Sequence, residues 1–410
     1  MTSTDSKSPA LGWRTPMMIL IAGCLIAMFG FGVRSIFGLF LEPISVAREW
    51  SREVFALAMA IQYLLWGLGV PVAGAIADRF GAAWVLAIGA ILYTVGIWGM
   101  AEADTAMSLY LSAGVLTGIG VAFTAFTIPL ACMAKVVGPE RRSFVLGLGT
   151  AAGSLGQVAF SPIGQGLIDA YGWHASLITL AVIVLIILPL GFVMPRDPSV
   201  QGENQVDQSI KQALNEAVHH RGFLLLTIGF FVCGFHVAFI TVHLPAYIKD
   251  LGLSASVGAI ALSLIGLFNI AGSFLSGFAG QHWSKKYGLS FIYFTRSLVI
   301  AAFLFAPKTE ITIYLFSATM GILWLSTVPL TTGIVAQIFG VRYMTMLFGI
   351  VFFSHQVGSF IGIWLGGRLH HITGSYDTMW WAGIALGLAA ALIHLPINDK
   401  PLPRLAFPPS

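Results

Sequence analysis

Twelve long apolar segments divide the 410-residue chain. Each is long enough to cross a bilayer as a helix, because about 20 apolar residues span the hydrocarbon core. Charged residues make up only 9% of the chain, whereas soluble domains average about 25%. The pattern predicts an all-α membrane protein with transmembrane helices at residues 17–41, 54–77, 83–101, 107–134, 144–168, 175–194, 223–248, 256–279, 289–306, 311–338, 344–367 and 378–397.

A polar stretch from Pro195 to Gly222 separates the first six segments from the last six. Within it, Asp207–His219 has the apolar spacing of a short amphipathic helix. The break predicts two six-helix bundles with a linker and two tails, arranged as tail 1–16, bundle 17–194, linker 195–222, bundle 223–397 and tail 398–410.

Basic residues are distributed unequally between the two sides of the predicted membrane. Of the 21 Lys and Arg residues, 14 fall on the side of both chain ends and 5 on the other side. The remaining two, Arg34 and Arg296, fall inside segments. The positive-inside rule therefore predicts both termini and the linker in the cytoplasm. We expect a multi-pass protein of the cell inner membrane.

The second half of the chain repeats the first at a fixed offset. Three positions of the first segment recur 202 residues later in the seventh: Gly32, Phe37 and Pro43 become Gly234, Phe239 and Pro245. Five glycines from Gly138 to Gly172 recur at the same offset, from Gly340 to Gly374. Both halves start on the same side, so the repeat is parallel. This architecture is typical of transporters whose site lies near the midplane between two halves.

Arg34 places a full charge in the middle of the first segment. A guanidinium at that depth is costly in lipid, so it usually faces a protein interior or a water-filled cavity. All 17 Asp and Glu residues fall in loops, tails or segment ends. A membrane interior with fixed cations and no fixed anion favours an anionic substrate. We therefore predict that Arg34 binds the substrate's negative charge. For Arg296, a stabilising contact near the cytoplasmic face is the favoured interpretation.

Three histidines lie in segments of the second half. His236, the repeat mate of Arg34, and His243 are seven residues apart, which places them on one face of the seventh segment. His355 and Gln356 lie in the eleventh. Imidazole titrates near neutral pH, so His236 and His243 are predicted to carry a coupled proton. His236 is predicted to face Arg34 from the other half and, with His355 and Gln356, to contact the substrate. Hydrogen-bonded packing is the alternative for the histidines.

Two aromatic residues complete the predicted substrate site. Tyr63 lies in the middle of the second segment, and Trp324 lies just before the proline of the tenth. If they line the cavity, they favour an apolar or aromatic body behind a carboxylate. The alternative is that both rings only pack between helices.

The loop after the second segment reads Gly74-Ala-Ile-Ala-Asp78-Arg79-Phe-Gly81. It resembles the signature loop of the major facilitator superfamily, and the resemblance extends over essentially the whole membrane region. It implies alternating access by rocking of two halves. It also implies that Gly74, Asp78, Arg79 and Gly81 control conformation and do not bind substrate.

A narrower resemblance is to the monocarboxylate transporters and their bacterial oxalate–formate-type relatives. It rests on Arg34-Ser35-Ile36, followed by Phe37, Phe40 and Glu42, where that family has a coupling Lys in place of Arg34. The chain departs from the pattern in the eighth segment, where the family's Asp and Arg fall on Asn269 and Ser273.

Together these features predict a secondary active transporter of organic carboxylates, either proton-coupled or exchanging. A carrier of a larger, weakly charged metabolite, vitamin or drug is one alternative, and a transporter-like membrane sensor is another. An enzyme is not expected, because the sequence shows no catalytic triad, metal cluster or phosphate loop. We expect no cofactor, no metal and no nucleic-acid partner, and a monomer in the bilayer.

Overall fold

The computed structural model describes residues 14–137, 141–194, 209–340 and 342–403. Its helices are numbered here in chain order. They are α1 (Pro16–Ala47), α2 (Arg52–Phe80), α3 (Ala82–Glu102), α4 (Ala106–Lys135), α5 (Phe144–Gly191), α6 (Ile210–His219), α7 (Arg221–Asp250), α8 (Ala255–His282), α9 (Lys285–Phe305), α10 (Glu310–Phe339), α11 (Met344–Thr373) and α12 (Asp377–His394).

Ten of these helices are long and apolar enough to cross a membrane, counted over the described ranges. One of them, α5, contains the fifth and sixth predicted segments in a single run of 48 residues. The last predicted segment is α12, with 18 residues. All twelve predicted segments therefore correspond to helices, and the prediction of an all-α membrane fold is confirmed. The predicted linker and tails lie partly outside the described residues.

The short helix α6 matches the amphipathic stretch predicted in the linker. Ser209 caps it, because its hydroxyl oxygen accepts a hydrogen bond from the Gln212 amide at 3.2 Å. The Ser209 amide in turn donates to the Gln212 side-chain oxygen at 2.8 Å. Such reciprocal capping satisfies two backbone donors at a helix start and fixes where it begins. The two buried residues, Ala213 and Ala217, are one turn apart and form one face.

The turn inside α5 depends on one glycine. Gly172 has φ 77°, in the region that side chains other than glycine rarely adopt. The chain turns back at this point: Arg14 contacts the Phe192 carbonyl at one end of the bundle, whereas Arg48 lies 5.6 Å from the Trp173 ring at the other. The loop expected between the fifth and sixth segments is therefore replaced by a turn at a single residue.

The repeat seen in the sequence has a structural cause. Gly374, 202 residues after Gly172, also has a positive φ, 70°, at the turn between α11 and α12. Gly156 of α5 packs against the backbone of α1 at Met28, and Gly358 of α11 packs against the backbone of α7 at Phe231. Small residues let membrane helices approach closely. The equally spaced glycines thus maintain the same turns and helix crossings in both halves.

The fourth and tenth predicted segments are interrupted at equivalent positions. In α4 the helix stops after Thr117–Phe123 and resumes as Thr127–Lys135. In α10 it stops after Glu310–Leu323 and resumes as Thr327–Phe339. Interrupted membrane helices at matching places in two halves are a recurrent mark of a transport site.

Arg296 of α9 supports the interruption of α10. It is fully buried, and its Nη2 donates to the carbonyls of Leu323, at 2.5 Å, and Trp324. The Leu325 amide donates to the Asn269 side chain at 3.0 Å. The backbone groups freed by the interruption therefore have partners, as buried backbone groups require. The predicted stabilising contact of Arg296 is therefore present, but it lies inside the C-terminal bundle at the interruption of α10 and not near the cytoplasmic face.

Ion pairs join the two halves at the end of the bundle opposite the chain ends, here called the far face. Three such pairs within the described ranges combine a residue of α1 or α2 with one of α7 or α11. They are Arg52–Asp250 at 2.6 Å, Glu53–Arg368 at 3.1 Å and Glu42–Lys249.

Candidate functional site

Arg34 lies in the last turn of the regular part of α1, which ends at Ser35. Its side chain is buried, with 6% of the residue exposed. The guanidinium carbon is 4.5 Å from the centre of the Trp66 ring, 4.8 Å from that of Phe31 and 4.9 Å from that of Tyr63. These four residues are referred to below as the Arg34 cluster. A desolvated cation over an aromatic face gains about 2 kcal/mol.

Helical spacing explains how the Arg34 cluster forms. Phe31 precedes Arg34 by three residues on α1, and Tyr63 precedes Trp66 by three on α2. Residues three apart lie on the same side of a helix, so each helix contributes one face to the cluster. The Tyr63 and Trp66 rings also meet edge to face, 5.8 Å apart. The Arg34 guanidinium is thus enclosed by rings on two helices.

The guanidinium of Arg34 retains unused hydrogen-bonding capacity. Nε and Nη1 are both sealed from solvent and have no hydrogen-bond partner among the described residues. A buried donor without an acceptor costs about 1–3 kcal/mol. Arg296 differs, because its two terminal nitrogens donate to two carbonyls and to the Cys233 sulfur, and only its Nε lacks a partner among the described residues. Of the two buried membrane arginines, Arg34 has more unused donors and is the better candidate for binding an anion.

The C-terminal half contributes Phe352, His355 and Gln356 of α11. Phe352 meets the Trp66 ring edge to face at 5.5 Å and stacks on His355 at 5.7 Å. The Gln356 amide nitrogen donates to the Tyr63 carbonyl at 3.0 Å. His355 Nδ1 lies 2.9 Å from the Gln356 side-chain oxygen. The structure therefore brings Arg34, Tyr63, His355 and Gln356 together, as their predicted role in one site requires.

His236 occupies a different environment. Its Nε2 lies 2.7 Å from the Gly383 carbonyl of α12, and the ring also packs against Gly387. These contacts place the imidazole between helices of the C-terminal half. The expectation that His236 faces Arg34 across the two halves is wrong for this structure, because the glycines of α12 leave room for the ring on the other side of α7.

His243 and Trp324 also lie apart from the Arg34 cluster. His243 is fully buried, with Nδ1 at 3.1 Å from the Tyr376 hydroxyl and Nε2 at 2.8 Å from the Ile363 carbonyl. Trp324 is buried at the interruption of α10. None of the contacts described for either residue includes Arg34, so their predicted roles remain predictions.

The predicted conformational residues lie at the C-terminal end of α2. Gly81 ends the helix with φ 90°, which explains the glycine of the motif. Asp78 and Arg79 are exposed in the last turn. Apart from the backbone of its own helix, no atom of the described residues lies within 4 Å of the place where a Cβ on Gly74 would stand. Their role in conformational change stays a prediction.

Asn269 takes a structural part at the position where the carboxylate of the resembling family falls. Its amide nitrogen donates to the Ser154 hydroxyl of α5 at 2.9 Å, across the two halves. Its oxygen accepts from the Leu325 amide in the interruption of α10 and from Ser273 at 3.3 Å. Both departures from the family pattern therefore belong to one hydrogen-bonded group between α5, α8 and α10.

Three members of this arrangement were not among the predicted site residues. Phe31 and Phe352 each lie three residues before a predicted residue, Arg34 and His355, and Trp66 lies three residues after Tyr63. That spacing was the available signal, because it places each ring on the same helix face as its polar neighbour. Phenylalanine is too common in membrane helices for the spacing to be noticed alone.

The family of the protein follows from how much of the sequence one family model matches. The family model of the Major Facilitator Superfamily matches residues 23–363. The chain belongs to the Major Facilitator Superfamily. The prediction from the Gly74–Gly81 loop is thereby confirmed. Superfamily members are transporters, so the prediction that the chain is not an enzyme is confirmed as well.

Curated relatives match the superfamily chain over nearly all of its length. Monocarboxylate transporter 13 of Rattus norvegicus is 25% identical over 398 residues, covering 96% of this chain and 91% of the relative. The uncharacterized MFS-type transporter YcxA of Bacillus subtilis (strain 168) is 25% identical over 402 residues, covering 96% and 97%. The predicted resemblance to monocarboxylate transporters is therefore confirmed by relatives of that name.

Solved superfamily structures share the fold. One is a bacterial homologue of the human lysosomal transporter Spinster, with TM-score 0.74, 15% identity, and coverage of 94% of this chain and 98% of the other. Another is a D-xylose–proton symporter, with TM-score 0.70, 16% identity, and coverage of 94% and 99%. The chain is a multi-pass membrane transporter for a small molecule.

Proposed function

We propose that the protein is a secondary active carrier of organic carboxylates, working by alternating access in the cell inner membrane with both termini in the cytoplasm. Transport is driven by protons or by exchange. The single observation that carries the proposal is Arg34, a buried guanidinium with two sealed nitrogens that lack an acceptor. A carboxylate supplies the acceptor and the negative charge together.

The charge balance of the membrane interior supports an anionic substrate. Three ion pairs of Asp or Glu with Lys or Arg lie at the far face, and none of them includes Arg34. In a low-dielectric interior an uncompensated charge is expensive. A bound anion that neutralises Arg34 therefore stabilises the site and is itself stabilised.

The aromatic rings around Arg34 support a substrate with an apolar body. Phe31, Tyr63 and Trp66 surround the guanidinium, and Phe352 continues the aromatic surface onto α11. A carboxylate bound at Arg34 would place its carbon chain or ring against these side chains, where apolar area is removed from water. The names of the relatives, monocarboxylate transporters, agree with this substrate class.

The same rings also suit the second candidate, a larger and weakly charged metabolite. The two candidates differ in whether the negative charge is needed. Purified protein in proteoliposomes should be tested with labelled monocarboxylates of increasing apolar length and with the matching amides, each with and without a pH gradient. The proposal expects uptake of acids and none of amides. Equal uptake of an acid and its amide would favour the second candidate and contradict the first.

A further inference from the structure

A chain of hydrogen bonds runs from the buried His243 to the ion pairs of the far face. His243 Nδ1 lies 3.1 Å from the Tyr376 hydroxyl, and Arg52 Nη1 lies 3.4 Å from the same hydroxyl. Arg52 is also paired with both carboxylate oxygens of Asp250, each at 2.6 Å. This series of hydrogen bonds therefore connects α7, the start of α12 and the start of α2, and it crosses from one half of the protein to the other.

The donor and the acceptor of each hydrogen bond in this series follow from which groups can only donate and which can only accept. The Ile363 carbonyl can only accept, so His243 Nε2, 2.8 Å away, carries a hydrogen. A neutral imidazole then accepts at Nδ1, and the donor is the Tyr376 hydroxyl. Arg52 can only donate, so it donates to the Tyr376 oxygen. Burial raises the pKa of Tyr376 to about 12, which keeps the hydroxyl hydrogen in place at neutral pH.

Protonation of His243 is incompatible with this order. A proton on Nδ1 turns that atom into a donor, so the Tyr376 hydroxyl hydrogen loses its acceptor in a buried place, which costs about 1–3 kcal/mol. It also adds a second positive charge two hydrogen bonds from Arg52. Both effects weaken the arrangement that holds Arg52 on Asp250.

Other charged and titratable groups also lie around this chain. His370 of α11 is the most important, because its Nε2 lies 3.1 Å from Arg52 Nη1 and 3.4 Å from the Asp250 carboxylate. The remaining groups from α1, α2, α7, α11 and α12 are Glu42, Glu53, Tyr247, Lys249, Arg368, His371 and Asp377. Four of these, Glu42, Lys249, Glu53 and Arg368, form the other two ion pairs.

We infer that His243 is a proton-binding site that keeps the far face closed while neutral and, through Tyr376 and Arg52, favours its opening when protonated. The inference goes beyond the proposed function, because it requires alternating access but no particular substrate. Proton binding at His243 thereby shifts the population between two states of the carrier, as any ligand with differential affinity does.

The distance between the halves at the far face tests this inference without substrate. Ala47 and Ser254 are exposed near that face, one in each half. Both are replaced by spin-labelled cysteines in a full-length variant whose three native cysteines are replaced by serine. Double electron–electron resonance in nanodiscs then gives the share of far-face-open molecules between about pH 8 and pH 5, the range where imidazole titrates.

The inference expects the open share to rise as the pH falls. This rise should be lost in His243→Gln and in Tyr376→Phe, which keeps the ring and removes the hydroxyl. It should remain in His236→Gln, a matched control on the same helix whose contact is with Gly383. A pH-dependent rise that persists in both His243→Gln and Tyr376→Phe overturns the inference, as does the absence of any rise in the parent. Loss of the rise only in His370→Gln assigns it to His370 and also overturns the inference.

Discussion

The amide nitrogen of Gln356 donates to the backbone carbonyl of Tyr63 at 3.0 Å, and this bond joins the two halves of the carrier beside Arg34. Gln62, next to Tyr63, makes the same kind of bond to the Ala113 carbonyl at 2.9 Å, but within the N-terminal half. The two glutamines are equally buried, at 0% and 1% exposure. They form a matched pair for separating contacts between halves from contacts within one half.

Gln356→Met should shift the carrier toward the far-face-open state. A lost hydrogen bond of about 1 kcal/mol changes the population about fivefold. The readout is labelling by an impermeant thiol reagent of a cysteine at Ala246, which is buried near the far face, in a cysteine-free background. Gln62→Met should leave labelling unchanged. Equal increases in both variants would show that the Gln356 bond has no special part in closure.

Arg296→Met should destabilise the fold. The change leaves the Leu323 and Trp324 carbonyls without their donor, at a cost of about 1–3 kcal/mol for each buried group. The thermal midpoint of the purified protein should fall by several degrees, whereas Arg34→Ala should lower it less, because the aromatic contacts it loses are offset by removal of two buried donors that lack acceptors. A larger loss of stability in Arg34→Ala than in Arg296→Met would reverse the roles assigned to the two arginines.

Asp78→Asn should slow the conformational cycle and leave substrate binding within a few-fold of the parent. The residue is at the end of α2 near the chain ends, far along the helix from Tyr63 and Trp66. Uptake rate in proteoliposomes and equilibrium binding in detergent measure the two effects separately. Asp104→Asn, an exposed acid before α4, is the control. Loss of binding by well-folded Asp78→Asn would contradict a conformational role.

A cysteine at Lys211 should resist an impermeant thiol reagent in intact cells, because the basic-residue asymmetry predicts that α6 lies in the cytoplasm. Lys211 is exposed on α6, and unlike Ser209 it does not cap the helix. A cysteine at Ser254, on the far face, should label readily in the same cells. The opposite labelling pattern would invert the orientation.

The membrane fold was predictable because the bilayer restricts the possibilities. Backbone N–H and C=O groups in lipid need hydrogen-bond partners inside a helix or a closed barrel. The length and apolarity of these segments therefore suffice to predict membrane helices. The glycines of the repeat were visible as well, and Gly172 and Gly374 show why the spacing is conserved between halves: both hold a positive φ at a turn.

The rotation of α7 about its own axis could not be predicted. In its most apolar stretch 72% of the residues are buried, so hydropathy does not distinguish the side facing Arg34 from the side facing α12. The repeat suggested that His236 would face Arg34. The structure shows instead that Gly383 and Gly387 make space for the imidazole on α12, and that α11 supplies the polar groups beside the Arg34 cluster. Such choices depend on tertiary packing between segments distant in the chain.

Binding of a matched acid and amide to Arg34 variants tests the central claim most directly. The acid selected from the uptake panel and its amide are titrated calorimetrically into the parent, Arg34→Ala and Arg34→Lys. Removing one partner of a desolvated charge pair costs several kcal/mol, so Arg34→Ala should weaken binding of the acid by about a hundredfold or more. Arg34→Lys should retain part of the affinity, because it keeps the charge and loses the planar fork. The amide should bind the parent weakly and be indifferent to Arg34→Ala. If correctly folded Arg34→Ala binds the acid as the parent does, Arg34 does not recognise the carboxylate.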